Sequence, residues 1–271
     1  MKFSDNIRAY FTPNQPTISR NNQDVVYQEL LPDLKLQKFI YCYWTLHTME
    51  PLEKSFTYRV VADGCIDVFF ELSKPNESFV MGFCKQYTEF ELASSFNYIG
   101  IRFLPSMFTQ LFKVDASELS NRDQPLDLVV PDLAKYIQEH FLSSTTLDII
   151  QELLDAYFQN YLYGVELDED DRFYNALQII FKQQGALHVE KDLNTGLSPR
   201  QLRRKFQYYI GTSPKTFGKV IRFQNILRAK PSTQSLQKNK LFYDVGYYDQ
   251  AHFIKEFKHL YGVVPSKVYA R

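Results

Sequence analysis

Two stretches in the last third of this 271-residue chain repeat one another at a fixed spacing of 51 residues. Ser198, Leu202, Phe206, Gly211 and Pro214 return as Asp249, Phe253, Phe257, Gly262 and Pro265, and Arg204 returns as Lys255. Each position has a local task. Ser198 and Asp249 carry side-chain oxygens that satisfy free amides in a first helical turn. Pro199 suits the first helical position. Leu202/Phe206 and Phe253/Phe257 are pairs four residues apart on one apolar face. Gly211 and Gly262 supply the left-handed residue that ends a helix. The repeat therefore predicts two helices of about twelve residues, near 199–210 and 250–261, each followed by a helix opening at proline.

The faces opposite the apolar pairs carry the chemistry. Arg200, Arg203, Arg204 and Gln207 point outward from the first helix, which follows the turn Asn194-Thr195-Gly196-Leu197. A capped helix with such a face, held across a preceding helix by a glycine-containing turn, has the plan of a helix-turn-helix. Arginine bonds bidentately to guanine edges or contacts phosphate. The charge is segregated to match. Residues 1–171 hold 13 Lys+Arg against 26 Asp+Glu, and residues 172–271 hold 18 against 5. Such asymmetry points the basic half toward a polyanion. Ser213 to Lys230 reads as one helix stopping before Pro231. At 1.5 Å per residue it spans roughly 27 Å, of the order of the ~34 Å between successive major grooves.

The acidic half begins with strands. Apolar and β-branched runs at 39–44, 58–61, 66–70, 79–81 and 98–103 alternate with turn formers such as Asp63-Gly64, the best hairpin signal among them. Many short strands predict a sandwich or small barrel. From Pro105 the period becomes helical. Leu147, Ile150, Leu154, Tyr157 and Tyr161 form a stripe that suits either a dimer seam or packing on the chain's own core. The run Glu166 to Asp171 reads as a linker or as an acidic cap on the next helix. We therefore divide the chain into 1–165, β-rich to about 110 and helical after, and 166–271, the basic domain with the DNA-binding pattern. The fold class is α+β: a β-barrel or sandwich with helices, then an all-α domain of two helix-turn-helix units joined by a long helix.

Other classes find little support. Cys42, Cys65 and Cys84 are odd in number and lack a CxxC pair, which argues against a disulfide framework or a zinc site. No metal or cofactor is expected. The polar start of the chain does not read as a signal peptide, no apolar run is long enough for a membrane span, and a cytoplasmic protein is expected. The five histidines are scattered, with His252 and His259 read as structural. Asp63, Asp67, Glu71 and Glu77 could form a carboxylate site, but turn and surface positions are the better reading. No catalytic residue is assigned. The alternative is a small-molecule-binding or DNA-targeted enzyme with an appended DNA-binding module.

The strings Gly196-Leu197-Ser198-Pro199-Arg200-Gln201-Leu202-Arg203-Arg204-Lys205-Phe206 and Gly246-Tyr247-Tyr248-Asp249-Gln250-Ala251-His252-Phe253-Ile254-Lys255-Glu256-Phe257 resemble the two signature segments of the AraC/XylS family of transcription regulators. The resemblance implies that Arg200, Arg203 and Arg204 read bases from the first helix. Gln250, Ala251 and Lys255 would do so from the second, with Lys255, in place of the more usual arginine, as a candidate phosphate contact. A gapless match puts Asp192 and Phe242 where each scaffold helix usually carries alanine. More weakly, Arg59 to Asp67 and Ile99 to Pro105 resemble segments of a cupin-like amino-terminal domain that accompanies one subgroup. That likeness implies a ligand-sensing or dimerising barrel. Tyr41, Trp44, Tyr58, Phe69 and Phe103 would either line its pocket or fill it as core. The implied partners are double-stranded DNA, RNA polymerase, a small-molecule effector and a second copy of the chain, with no membrane.

Overall fold

The computed structural model describes residues 7–16, 24–168, 170–229 and 246–269. A short helix, α1 (Ile7–Tyr10), precedes eight strands and two helices: β1 (Val25–Leu30), β2 (Ile40–Thr48), β3 (Phe56–Val60), β4 (Ile66–Glu71), β5 (Ser78–Met81), β6 (Thr88–Leu92), β7 (Asn97–Phe103), α2 (Met107–Phe112), β8 (Asp123–Pro125) and α3 (Pro131–His140). Six strands form one antiparallel sheet in the order β1-β2-β7-β4-β5-β8, and β3 pairs with β6 in a second. Burial alternates along β4, as the two-residue period of a strand requires.

One face of the large sheet, with Tyr43, Val68, Phe70, Ile101 and Phe103, belongs to a core that runs on into the helices. The other face, with Cys42, Trp44 and Leu46, packs toward Tyr58 and Leu92 of the small sheet and forms a separate cluster. Trp44 lies opposite Gly100 in the β2–β7 register. A Cβ at Gly100 would fall 1.9 Å from the indole, so this glycine makes room for the ring.

The Asp63-Gly64 turn does not close a hairpin. It carries the chain from β3 in the small sheet to β4 in the large one. Gly64 has φ +87°, and a Cβ there would meet Phe217 at 3.2 Å. The turn is tight because a helix from the other half of the chain crosses it.

The stripe read on the next helix, α4 (Leu147–Tyr161), packs on the chain's own core. Ile150, Leu154 and Phe158 are buried, while Leu147, Tyr157 and Tyr161 are partly covered. Asp155 pins the helix to the sheet by accepting the Tyr43 hydroxyl at 2.8 Å and the Asp33 amide at 3.1 Å.

The remaining elements are helical: α5 (Asp171–Lys182), α6 (Val189–Asp192), α7 (Pro199–Ile210), α8 (Pro214–Ala229), α9 (Gln250–Tyr261) and α10 (Pro265–Val268). Asp170, in the acidic run, caps α5 by accepting the Arg172 amide. Phe173 of α5 packs on Phe206 of α7 at 5.3 Å, and Phe223 of α8 packs on Phe257 of α9 at 5.4 Å. Each fully buried phenylalanine contributes about 1.5–3 kcal/mol. Asp192 does not enter the core: its carboxylate turns back to accept the His188 amide at 2.7 Å. Phe242 and the expected helix stop at Pro231 lie outside the described residues.

Candidate nucleic-acid interface and barrel cavity

The two repeated helices, α7 and α9, are each twelve residues long. Ser198 and Gln201 form a reciprocal capping box on α7, and Gly211 ends it with φ 89°. Asp249 accepts the His252 amide at 2.7 Å to cap α9, which Gly262 ends with φ 98°. Leu202, Phe206, Phe253 and Phe257 are buried. Arg200, Arg203, Arg204, Gln207, Gln250, Ala251 and Lys255 are all exposed. Among the described residues, no ion pair or hydrogen bond engages the side chains of Arg200, Arg203, Arg204 or Lys255, and their charges remain available to a partner. Lys205, between them, is committed inward, 2.9 Å from Asp170.

The connecting α8 has sixteen residues and is about 24 Å long. It is tied to α9 by Arg222, which bonds Glu256 at 2.5 Å and the Gly246 carbonyl at 2.9 Å and stacks 3.9 Å from the Tyr247 ring centre. Burial alone would push the Glu256 carboxyl up. The adjacent Arg222, with Tyr247 and Lys219, outweighs that and leaves it below its ordinary value. A groove of about 310 Å³ between the two units carries Lys215 and Lys219, residues that the sequence reading did not single out.

The barrel holds a second candidate site. A cavity of about 90 Å³ lies between the two sheets. Of the five aromatics expected there, Trp44, Tyr58 and Phe69 line it. Tyr41 and Phe103 do not. Tyr41 packs beneath the Arg8 guanidinium at 4.7 Å, and Phe103 sits on the opposite face of the sheet against Phe108 and Phe158. Residue alternation explains the error: Phe103 is an odd number of positions from Arg102, which does face the cavity.

Arg102 is 2% exposed and is bonded by Nε and Nη2 to the two carboxylate oxygens of Asp67, at 3.1 and 2.8 Å. Its Nη1 donates to the Tyr27 hydroxyl at 3.2 Å, and Glu29 and Asp63 stand at 3.6 and 3.4 Å. Asp63 is thus buried and the Asp67 side chain is 15% exposed, and the surface reading of both is corrected. Burial pushes the Asp67 carboxyl up to about 6, against the pull of Arg102. The thiols of Cys42 and Cys65 are also pushed up by burial, and that of Cys84 to about 11. Among the described residues, no group of three His, Cys, Asp or Glu side chains is placed to hold a metal ion, and no helix is long and apolar enough to cross a membrane.

The barrel is also bonded to the helical half. The Ala62 amide donates to the Leu260 carbonyl at 3.3 Å, and Tyr87 donates to His259 at 3.4 Å. Gln224 of α8 donates to the Ala62 carbonyl at 2.9 Å and accepts the Asn14 amide at 2.7 Å. Gln15 brackets Val61 and donates to Asp63 at 2.8 Å.

A two-sheet β module is thus joined to helices among which α7 and α9 are alike in caps and length and carry unengaged basic side chains outward, an arrangement suited to contacting DNA. Residues 194–271 match a family model described as a helix-turn-helix domain, and residues 28–125 match a domain of unknown function (DUF6597). The chain is 31% identical over 179 residues to an uncharacterized HTH-type transcriptional regulator of Haemophilus influenzae, covering 65% of this chain. It spans 56% of that relative's length. Among solved structures, ToxT from Vibrio cholerae aligns at 11% identity and a TM-score of 0.43, over 81% of this chain and 94% of that one. Unsaturated fatty acid-bound ToxT aligns at 10% identity and a TM-score of 0.41, over 93% and 97%. In its last third the chain is thus similar to the helix-turn-helix domains of transcriptional regulators.

Proposed function

We propose that this protein binds specific sites in double-stranded DNA by placing α7 and α9 in successive major grooves, and so regulates transcription. The observation that carries this reading is the pairing of two twelve-residue helices with matching caps and unengaged basic residues outward. In this reading Arg200, Arg203, Arg204 and Gln207 contact the first groove, and Gln250, Ala251 and Lys255 the second. Lys255, a compact point charge, suits phosphate. Residues 166–271 act as the DNA-binding domain and 1–165 as the sensor or dimerisation domain. RNA polymerase and a second copy of the chain are candidate partners. No catalytic role is assigned to any residue.

The test is selection of bound fragments from a genomic library by the full chain, followed by titration of the enriched site across salt concentrations. The expected result is an enriched motif with two half-sites about one helical turn apart. Affinity should fall by about 0.9 log units per neutralised phosphate for each tenfold rise in salt. Failure to enrich any sequence, or a salt-independent complex, overturns the reading.

The barrel cavity supports an effector pocket in the same protein. Trp44, Tyr58 and Phe69 give it apolar walls, and Asp67 and Arg102 give it a polar end. The bonds from Ala62 to α9 and from Gln224 to the barrel offer the route by which occupancy reaches the DNA-binding helices.

A further inference from the structure

We propose that the barrel cavity takes a small apolar molecule bearing one protonated amine and disfavours the matching carboxylate. The proposal rests on the reading of this cavity as an effector pocket and adds the chemical class of its occupant.

The argument is an inventory of donors and acceptors at the polar end. Three carboxylates, Asp63, Asp67 and Glu29, surround the one guanidinium of Arg102 within 3.6 Å. Arg102 has five N–H donors. Its Nε and one Nη2 hydrogen go to Asp67, and Nη1 serves Tyr27 and faces Glu29. Little of the guanidinium's donor capacity is left for a newcomer, and the donor beside it in the wall that lacks a partner among the described residues, the Trp44 indole N–H, carries no charge to offset a carboxylate. The carboxylates are in the opposite position. Each oxygen of Asp67 takes one bond from Arg102 and keeps further lone-pair capacity. Asp63 takes Gln15 and the Cys65 amide besides Arg102. The cluster thus has an excess of negative charge and of acceptors, with Asp67 and Arg102 in the cavity wall, Asp63 behind them and Glu29 toward the surface. Asp67, at about 6, is ionised at neutral pH and feels the Asp63 charge beside it.

An entering carboxylate would meet the like charge of Asp67 in the wall, with Asp63 behind it, and would have to displace Asp67 from Arg102. An ammonium would find free acceptors on Asp67 and would relieve the excess. The rest of the wall sets the size and character of the molecule. Leu46, Val60, Phe69 and Phe90 offer no polar atom in their side chains, and about 90 Å³ admits a small hydrocarbon body.

The experiment uses the full chain and its own reporter. Trp44 is the single tryptophan of the sequence and lies in the cavity wall. Its emission is titrated with two matched series: isobutylamine, isobutanol and isobutyrate, then cyclohexylamine, cyclohexanol and cyclohexanecarboxylate. The expected result is that in at least one series the amine binds about tenfold or more tighter than both the alcohol and the acid. In Asp67→Asn the amine should fall to the level of the alcohol, while the alcohol is unchanged. Should that variant not fold, the series on the unmodified chain still decides the matter, and Met81→Phe, which narrows the wall, should weaken every binder together. A carboxylate that binds as tightly as its amine, or equal binding by all three, overturns the chemical class and leaves the pocket standing. No response from any probe up to millimolar concentration overturns the pocket reading and the proposal with it.

Discussion

The amide of Ala62, at the end of a barrel strand, donates to the carbonyl of Leu260 in the last turn of α9. This bond joins α9 to the acidic half of the chain. Gln224 holds the same place from the other side, bonding Ala62 and Asn14 at once. Replacing Gln224 with alanine strands a buried carbonyl and an amide, so Gln224→Ala should lose about 1–3 kcal/mol of stability. Urea denaturation measures the loss. Hydrogen exchange should speed up at residues 62 and 259–262 more than at the centre of β7.

A base contact and a phosphate contact give different signatures. Arg204→Ala should cost about 1–3 kcal/mol at the selected site and relax preference at one base pair. Lys255→Ala should weaken all sequences alike and reduce the salt slope by about one phosphate. Competition titrations with single-base variants of the site separate the two outcomes.

Gly100 faces Trp44 across a strand pair with no room for a methyl group. Gly100→Ala must push the indole or the strand aside and should destabilise the chain by about 1–3 kcal/mol. The same change should shift the Trp44 emission, because the ring leaves its buried seat. Unchanged emission with unchanged stability would contradict the packing described.

Acid sensitivity should show at Asp170. Its hydrogen bonds with Arg172, and then its contact with Lys205, hold the carboxyl well below the usual carboxylate range. A group with a depressed folded value binds more protons when unfolded, so its stabilisation is present above the unfolded value, about 3.9, and is lost as pH falls below it. Asparagine keeps the cap but not the charge. Urea midpoints for Asp170→Asn should lie below those of the unmodified chain at pH 6, and the gap should narrow steadily as pH falls from 4 toward 2.

Much of the two repeated helices was legible in the residues because their signals are local. Ser198, Gly211, Asp249 and Gly262 act within a turn of their own positions, and the helices start and stop beside them. The cavity was only partly legible. Trp44, Tyr58 and Phe69 line it, but Phe103 projects from the other side of its strand, and Tyr41, at a β-bulge between Ile40 and Cys42, touches both clusters without reaching the cavity. The charge cluster was missed. Asp63 and Asp67 flank a turn, where acidic residues are ordinarily solvated, and only strand pairing brings Arg102 onto them from 35 positions away. The seating of α9 on the barrel has no sequence signal, since it joins backbone groups of Ala62 and Leu260. Phe158 shares the buried face of α4 with Ile150 and Leu154, four positions beyond the latter, and the 3-4 stripe passed it by.

The segment Val61-Ala62-Asp63 is three residues long, about 10 Å of extended chain. Within that length it meets the amino-terminal segment through Gln15, the connecting helix through Gln224, α9 through Leu260 and the buried guanidinium through Asp63. A tether so short has no slack. Any sideways step of Asp63 must be absorbed by its neighbours within one or two peptide units, and α9 is fastened to one of them.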